Sequence, residues 1–97
     1  MTFEEFRDSL LHDDPPKGLN LGMTALWWDG KGDWTKAHES AQQDDVPAGA
    51  WVHAYLHRKE GDASNSNAAY WYQRAGKSAS RKSLSEEWGE IARSLIK

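Results

Sequence analysis

The stretch ALWWDGKGD, residues 25–33, recurs 29 residues later in a related form as AYLHRKEGD, residues 54–62. Both copies open with alanine, continue with large apolar or aromatic residues and close with Gly-Asp. Glycine readily adopts the left-handed conformation that ends a helix, and aspartate is a favoured cap for the next helix. The repeat therefore predicts two helical hairpins, in each of which the first helix ends at the Gly-Asp pair.

The acidic residues of the first copy do not make a calcium loop. A helix–loop–helix calcium site needs oxygen ligands at loop positions 1, 3 and 5, glycine at 6 and glutamate at 12. When the loop is counted from Asp29, position 3 is Lys31, position 6 is Trp34 and position 12 is Ser40. A ligand, the turn glycine and the closing glutamate are all missing, so the segment is predicted to be a turn.

Capping residues and the helical spacing of apolar residues extend this pattern along the chain. Predicted helices cover about 3–12, 21–30, 34–43, 47–60, 68–76 and 84–96. The capping signals are Thr2 with Glu5, Asn20, Asp33, Asn67, and Ser83 with Glu86. No stretch alternates like a half-buried strand. We therefore expect one all-α domain over residues 1–97, a bundle of five or six short helices with hairpins at about 21–43 and 47–76.

Two features indicate how these helices pack. The helix over 47–60 is apolar nearly all round, so we expect it to be central, with helices on several sides. The return helix of each hairpin carries a small residue followed four positions later by another packing residue, Ala37 with Ala41 and Ala68 with Tyr72. Helices 3–12 and 84–96 are then expected to flank and cap the hairpins.

Composition excludes several classes of function. The 97 residues contain no cysteine, which excludes disulfides and thiolate chemistry. No apolar run is long enough to cross a bilayer, and the acidic segment MTFEEFRDSLLHDDPP does not resemble a secretory signal, so a cytoplasmic location is expected. The net charge of −3 is unevenly spread, with 12 acidic and 6 basic residues through residue 62.

The segment NAAYWYQRAG, residues 67–76, resembles the second helix of a tetratricopeptide or Sel-type repeat. Together with AWVHAYLHRKEGD, residues 50–62, it also resembles a group of small, uncharacterised bacterial proteins built from helical hairpins. The likeness runs from about Leu19 to the C-terminus and departs from the usual spacing at residues 64–67. It implies tetratricopeptide-like hairpins that bind a partner or ligand, and no particular chemistry.

His53 and His57 are the candidate metal ligands. Residues four apart share one face of a helix, the arrangement of helical zinc sites, and Glu60 extends that face. The glutamate of the H-E-x-x-H motif is missing because Ala54 follows His53, and a third ligand such as His38, Glu39 or Asp62 would have to come from elsewhere in the fold. The alternative is that both histidines hydrogen-bond to a neighbouring helix while packing on aromatic rings.

Aromatic residues provide a second candidate site. If some line a concave surface, they offer flat contact area to a ligand, with tyrosine hydroxyls and histidine nitrogens as polar groups. The groove is predicted to involve His53, His57, Tyr70, Trp71, Arg74 and Trp28. The function expected from the sequence is thus non-enzymatic binding of a protein, a peptide or a small molecule, without a cofactor. A metal-binding protein or metal-dependent enzyme using His53 and His57 is the alternative.

The basic residues Arg74, Lys77, Arg81 and Lys82 are predicted to belong to a solvated linker region. No recognition helix, zinc finger or aromatic–basic strand pattern accompanies them, so the sequence does not predict nucleic-acid binding. No nucleophile elbow, phosphate-binding loop or dinucleotide fingerprint is present either.

Overall fold

The structure is a computed structural model, and it describes residues 1–43, 47–61 and 65–96. Over these residues the chain forms α-helices and one 3-10 turn, without any β-strand, so the fold is all-α. The helices are α1 (Phe3–Asp8), α2 (Leu21–Gly30), α3 (Trp34–Gln42), α4 (Pro47–Glu60), α5 (Asn65–Ala75) and α6 (Leu84–Leu95).

Four helices begin at residues that the sequence marks as caps. The side chains of Thr2, Asn20, Asp33 and Ser83 each accept a hydrogen bond from a backbone N–H of the first helical turn. At Thr2 the bond is reciprocal, because the carboxylate of Glu5 accepts from the Thr2 backbone N–H at 2.8 Å. These bonds satisfy N–H groups that have no partner within the helix, so the helix starts are encoded locally.

The two repeated segments end their helices as predicted. Helix α2 closes at Gly30 and helix α4 at Glu60, and the glycines that follow, Gly32 and Gly61, have φ angles of 83° and 108°. Such positive angles are strained for residues with a Cβ, which explains the glycine in both copies. Within this segment, residues 25–30 belong to α2, and residues 31–33 form the turn that connects α2 to α3. Asp62, the expected cap in the second copy, lies outside the described residues.

Two predicted helix boundaries were wrong. Helix α1 stops at Asp8, and Ser9–Leu11 continues as a 3-10 turn in place of an α-helix to residue 12, since helix ends often tighten in this way. Helix α5 starts at Asn65, three residues before the predicted start, so Asn67 lies within the helix and is not its N-cap. The first turn of a helix accommodates polar residues, because its backbone N–H groups have no partner within the helix. A polar segment can therefore begin a helix as well as precede one.

Helix α4 is central, as its all-round apolar character predicted. It packs against α2, α3, α5 and α6, and every residue from Gly49 to Leu56 is buried. The small residues of the return helix, Ala37 and Ala41, are also buried, and so are Ala68 and Tyr72. No helix in the described ranges is both long and apolar enough to cross a membrane.

Candidate metal centre

Three of the four histidines meet where α3 crosses α4. His53 and His57 lie on one face of α4, with ring centroids 4.8 Å apart and planes inclined by 23°. His38 of α3 stands edge-on to both rings, with centroid distances of 4.6 Å to His53 and 5.2 Å to His57. One ring nitrogen from each histidine lies within 4.8 Å of the others. We call His38, His53 and His57 the histidine cluster.

Two tryptophans cover the outer faces of the cluster. Trp71 of α5 stacks on His53, with centroids 4.0 Å apart, and Trp34 of α3 stacks on His38 at 4.8 Å. The indole N–H of Trp34 donates to the backbone carbonyl of Leu56 at 3.0 Å, which fixes the ring against α4. The histidine rings are therefore held between aromatic walls from two helices, and their side-chain motion is restricted on those faces.

Burial controls the protonation of the cluster. His53 is only 4% exposed, and its Nδ1 has no hydrogen-bond partner among the described residues. Burial, followed by the charges of His38 and His57, lowers the pKa of His53 to about 4. Burial is also the main cause that lowers the pKa of His38. Burying an imidazole nitrogen without a hydrogen-bond partner costs free energy of folding, and such atoms are rare in folded proteins.

The polar partner of His57 lies on its own helix. Its Nδ1 is 3.2 Å from Oε1 of Glu60, one helical turn further on. Among the described residues, neither Nδ1 has a hydrogen-bond partner on a neighbouring helix, and the expectation of such bonds stays a prediction for the Nε2 atoms. Glu60 and Glu39 both act on His38 by charge and raise its pKa, although burial outweighs them. Glu39 and Glu60 thus place negative charge near His38.

The predicted groove residues divide into two sets. Tyr70 is 52% exposed, its ring lies 5.1 Å from that of Trp71, and the guanidinium of Arg74 lies over both rings. These three residues adjoin the cluster through the stacking of Trp71 on His53. Trp28 instead contacts Trp27 within α2 and the ammonium group of Lys36 in α3.

Lys77 and Lys82, two of the basic residues near the C-terminus, contact neighbouring groups. The ammonium group of Lys77 lies 4.3 Å from the ring centroid of Trp51. Lys82 forms an ion pair with Glu90 at 3.3 Å, and its carbonyl oxygen accepts a hydrogen bond from Arg58. One carboxylate and one aromatic ring therefore contact two of the cationic groups of this segment.

Sequence reasoning left His38 as one of several possible third ligands and overlooked Glu87. His38 follows Trp34 by four residues, so both lie on the same face of α3. This spacing is the feature of the sequence that could have indicated that His38 packs with an aromatic ring. Glu87 occupies a position within the apolar stripe of α6 and is fully buried. Its carboxylate accepts hydrogen bonds from Trp51, Arg58 and Tyr72, which explains a charged residue at a core position.

The side chains of the histidine cluster indicate the kind of ligand that it suits. Comparison with protein families, curated proteins and solved structures found no match to this chain. Imidazole is a ligand suited to zinc, copper, iron and nickel. Three convergent imidazoles, one of them with a nitrogen that lacks a partner in the part of the chain that the structure describes, therefore have the composition of a transition-metal site.

Proposed function

We propose that this protein binds one divalent transition-metal ion, of the class that includes Zn²⁺, through His38, His53 and His57. The observation that carries the proposal is the convergence of three ring nitrogens within 4.8 Å, together with the unpartnered Nδ1 of buried His53 among the described residues. An ion bound through Nδ1 of His53 would supply a partner for this nitrogen, which has none among the described residues. The proposal takes up the metal-binding alternative indicated by the spacing of His53 and His57.

The geometry requires a small closure around the ion. Zinc–nitrogen bonds are about 2.0–2.1 Å long, so two nitrogens on a tetrahedral zinc ion lie about 3.3 Å apart. The present upper separation of 4.8 Å has to shorten by about 1.5 Å. His38 and His57 are only partly buried, so we expect this closure to come from rotation of their side chains toward His53 on the faces that the tryptophans leave open.

Protonation and charge also favour a cation. A histidine must be neutral to donate its lone pair, and the pKa of His53, lowered to about 4, keeps it neutral at pH 7. The carboxylates of Glu39 and Glu60 are close enough to influence His38 electrostatically. They would offset part of the charge that three neutral ligands leave on the ion.

The test is zinc binding by protein purified without a histidine tag. We expect equilibrium dialysis to find one zinc ion per chain, with affinity reduced by roughly 100-fold or more in His38→Ala, because loss of a ligand exceeds the 10–100-fold effect of losing an outer partner. His12→Ala is the matched control, since this fourth histidine is exposed and lies before α2. Equal losses in both variants, or no stoichiometric binding, would refute the proposal.

Thermal unfolding gives an independent measure of the same event. A ligand present at 100 times its Kd stabilises the folded state by about 2.7 kcal/mol when it does not bind the unfolded chain. For a domain of this size each kcal/mol raises Tm by about 4–8 °C. Zinc should therefore raise the Tm of the wild type and of His12→Ala by more than 10 °C, and that of His38→Ala by much less.

A ligand-binding surface beside the cluster is the second candidate function. The half-exposed ring of Tyr70, flanked by Trp71 and the cation of Arg74, favours a peptide that presents an aromatic or acidic side chain. The resemblance to tetratricopeptide-like proteins supports the same class of function. Peptides selected from a displayed library should lose binding to Tyr70→Ala and keep it for Thr35→Ala, an exposed position on α3. Unchanged binding to Tyr70→Ala would exclude this surface.

A further inference from the structure

The hydrogen bond between His57 and Glu60 fixes which nitrogen of His57 carries a hydrogen. Oε1 of Glu60 lies 3.2 Å from Nδ1 of His57. An ionised carboxylate can only accept hydrogen bonds, so Nδ1 must be the donor in this contact. In the neutral imidazole the hydrogen then sits on Nδ1, and the lone pair is on Nε2.

We infer that Glu60 is a positioning residue of the metal site, holding His57 in the tautomer that presents Nε2 to the ion. This inference rests on the proposed metal-binding function. Metal-bound histidines almost always donate their other N–H to a carboxylate, a carbonyl oxygen or water, which orients the ring and makes the coordinating nitrogen more basic. Glu60 provides this partner from the same helix, one turn beyond His57.

The role assigned to Glu60 differs from that of a metal ligand. The sequence indicated Glu60, with His53 and His57, as a candidate metal ligand. The donor atoms that converge in the structure are instead ring nitrogens of His38, His53 and His57. Oε1 of Glu60 is hydrogen-bonded to Nδ1 of His57. Since each imidazole gives an ion one nitrogen, a carboxylate at Nδ1 and an ion at Nε2 occupy the two different nitrogens of the ring.

Glu39 offers a matched control for this role. Both carboxylates raise the pKa of His38 through charge, so removing either one changes the electrostatic field on the cluster in the same direction. Glu60 has, in addition, the hydrogen bond to His57. Glu60→Ala and Glu39→Ala therefore separate loss of that hydrogen bond from loss of a negative charge. Glu60 is exposed at the end of α4, so alanine there leaves the core unchanged.

The first measurement needs no metal. Nitrogen-15 NMR of the metal-free protein, at a pH where the imidazoles are neutral, reports which nitrogen of each histidine is protonated. We expect His57 to be in the Nδ1–H form in the wild type and in Glu39→Ala, and to become a mixture of tautomers in Glu60→Ala. An Nε2–H form in the wild type would overturn the inference whether or not the protein binds metal.

The second measurement is the zinc affinity of the same variants. Loss of the outer carboxylate should weaken zinc binding by about 10–100-fold in Glu60→Ala, and Glu39→Ala should show a much smaller change. Glu60→Gln should lie between Glu60→Ala and the wild type, because its amide oxygen accepts the same hydrogen bond without the charge. Equal affinities of Glu60→Ala and wild type, with stoichiometric zinc in both, would refute this inference alone. Absence of zinc from the wild type would instead refute the proposed function.

X-ray absorption at the zinc edge separates the positioning role from direct ligation. If Glu60 acts through His57, zinc-loaded Glu60→Ala keeps the same number of imidazole ligands and gains no open position. A lost oxygen ligand in that variant would overturn the inference, because Glu60 would then bind the ion itself.

Discussion

Acidification should destabilise the metal-free protein through His53, and a non-titrating ring at this position should remove that effect. The pKa of His53 is about 4 in the folded state, against 6.5 for an unperturbed histidine. Between these values the unfolded chain binds a proton that the folded chain does not. Folding stability therefore rises with pH across this window, is fully present above about pH 6.5 and is lost as the pH falls toward 4.

The size of the effect follows from the two pKa values. A shift from 6.5 to about 4 corresponds to about 3 kcal/mol when the whole window is crossed. Between pH 7 and pH 5 the same values give a loss of about 2 kcal/mol from His53 alone. His53→Phe should not show this loss, because phenylalanine keeps an aromatic ring against Trp71 and has no group that titrates.

The assay is denaturant unfolding of both proteins at pH 7 and pH 5 in the presence of a chelator. The two proteins differ only in the side chain at position 53, so the difference between their pH dependences reports on His53. We expect the free energy of unfolding to fall by about 2 kcal/mol more in the wild type than in His53→Phe. An equal fall in both proteins would refute the argument that burial keeps His53 neutral.

Two further variants test the fold around the site. Glu87→Ala should lower the free energy of unfolding by about 3 kcal/mol, since it leaves the Arg58 guanidinium and the Tyr72 hydroxyl without their buried acceptor, whereas Glu90→Ala at the surface should change it by less than about 0.5 kcal/mol. Similar values for the two glutamates would contradict the role given to the buried carboxylate. Gly32→Ala should cost about 1 kcal/mol because φ is 83° there, and Gly32→Asn should cost less because asparagine tolerates this conformation. If alanine is tolerated as well as asparagine, the left-handed turn is not what selects glycine.

The parts of the fold that the sequence predicted are those encoded by local interactions. Asn20 and Asp33 cap the helices that directly follow them, and Gly32 and Gly61 end helices within one turn. These helix ends depend on residues a few positions apart, so they can be predicted from the local sequence. The start of α5 was harder to place because several polar residues in a row can all occupy a helix start.

The candidate site was only partly predictable because its third member depends on how helices pack. His53 and His57 share a face of α4 by spacing alone, and this pair was identified. The position of His38 depends on where α3 crosses α4, which local spacing does not determine. Glu87 was missed because a charged residue in an apolar stripe gains its partners, Arg58 and Tyr72, only after the helices have packed.

The central claim, that three imidazoles from two helices bind one ion, is tested most directly by zinc-edge X-ray absorption on the tag-free protein loaded with one equivalent of zinc. The account predicts three imidazole nitrogens at about 2.0–2.1 Å from the ion in the wild type. It predicts two in His38→Ala and an unchanged spectrum in His12→Ala. A wild-type spectrum with fewer than three imidazoles, or one that His38→Ala leaves unchanged, would contradict the claim.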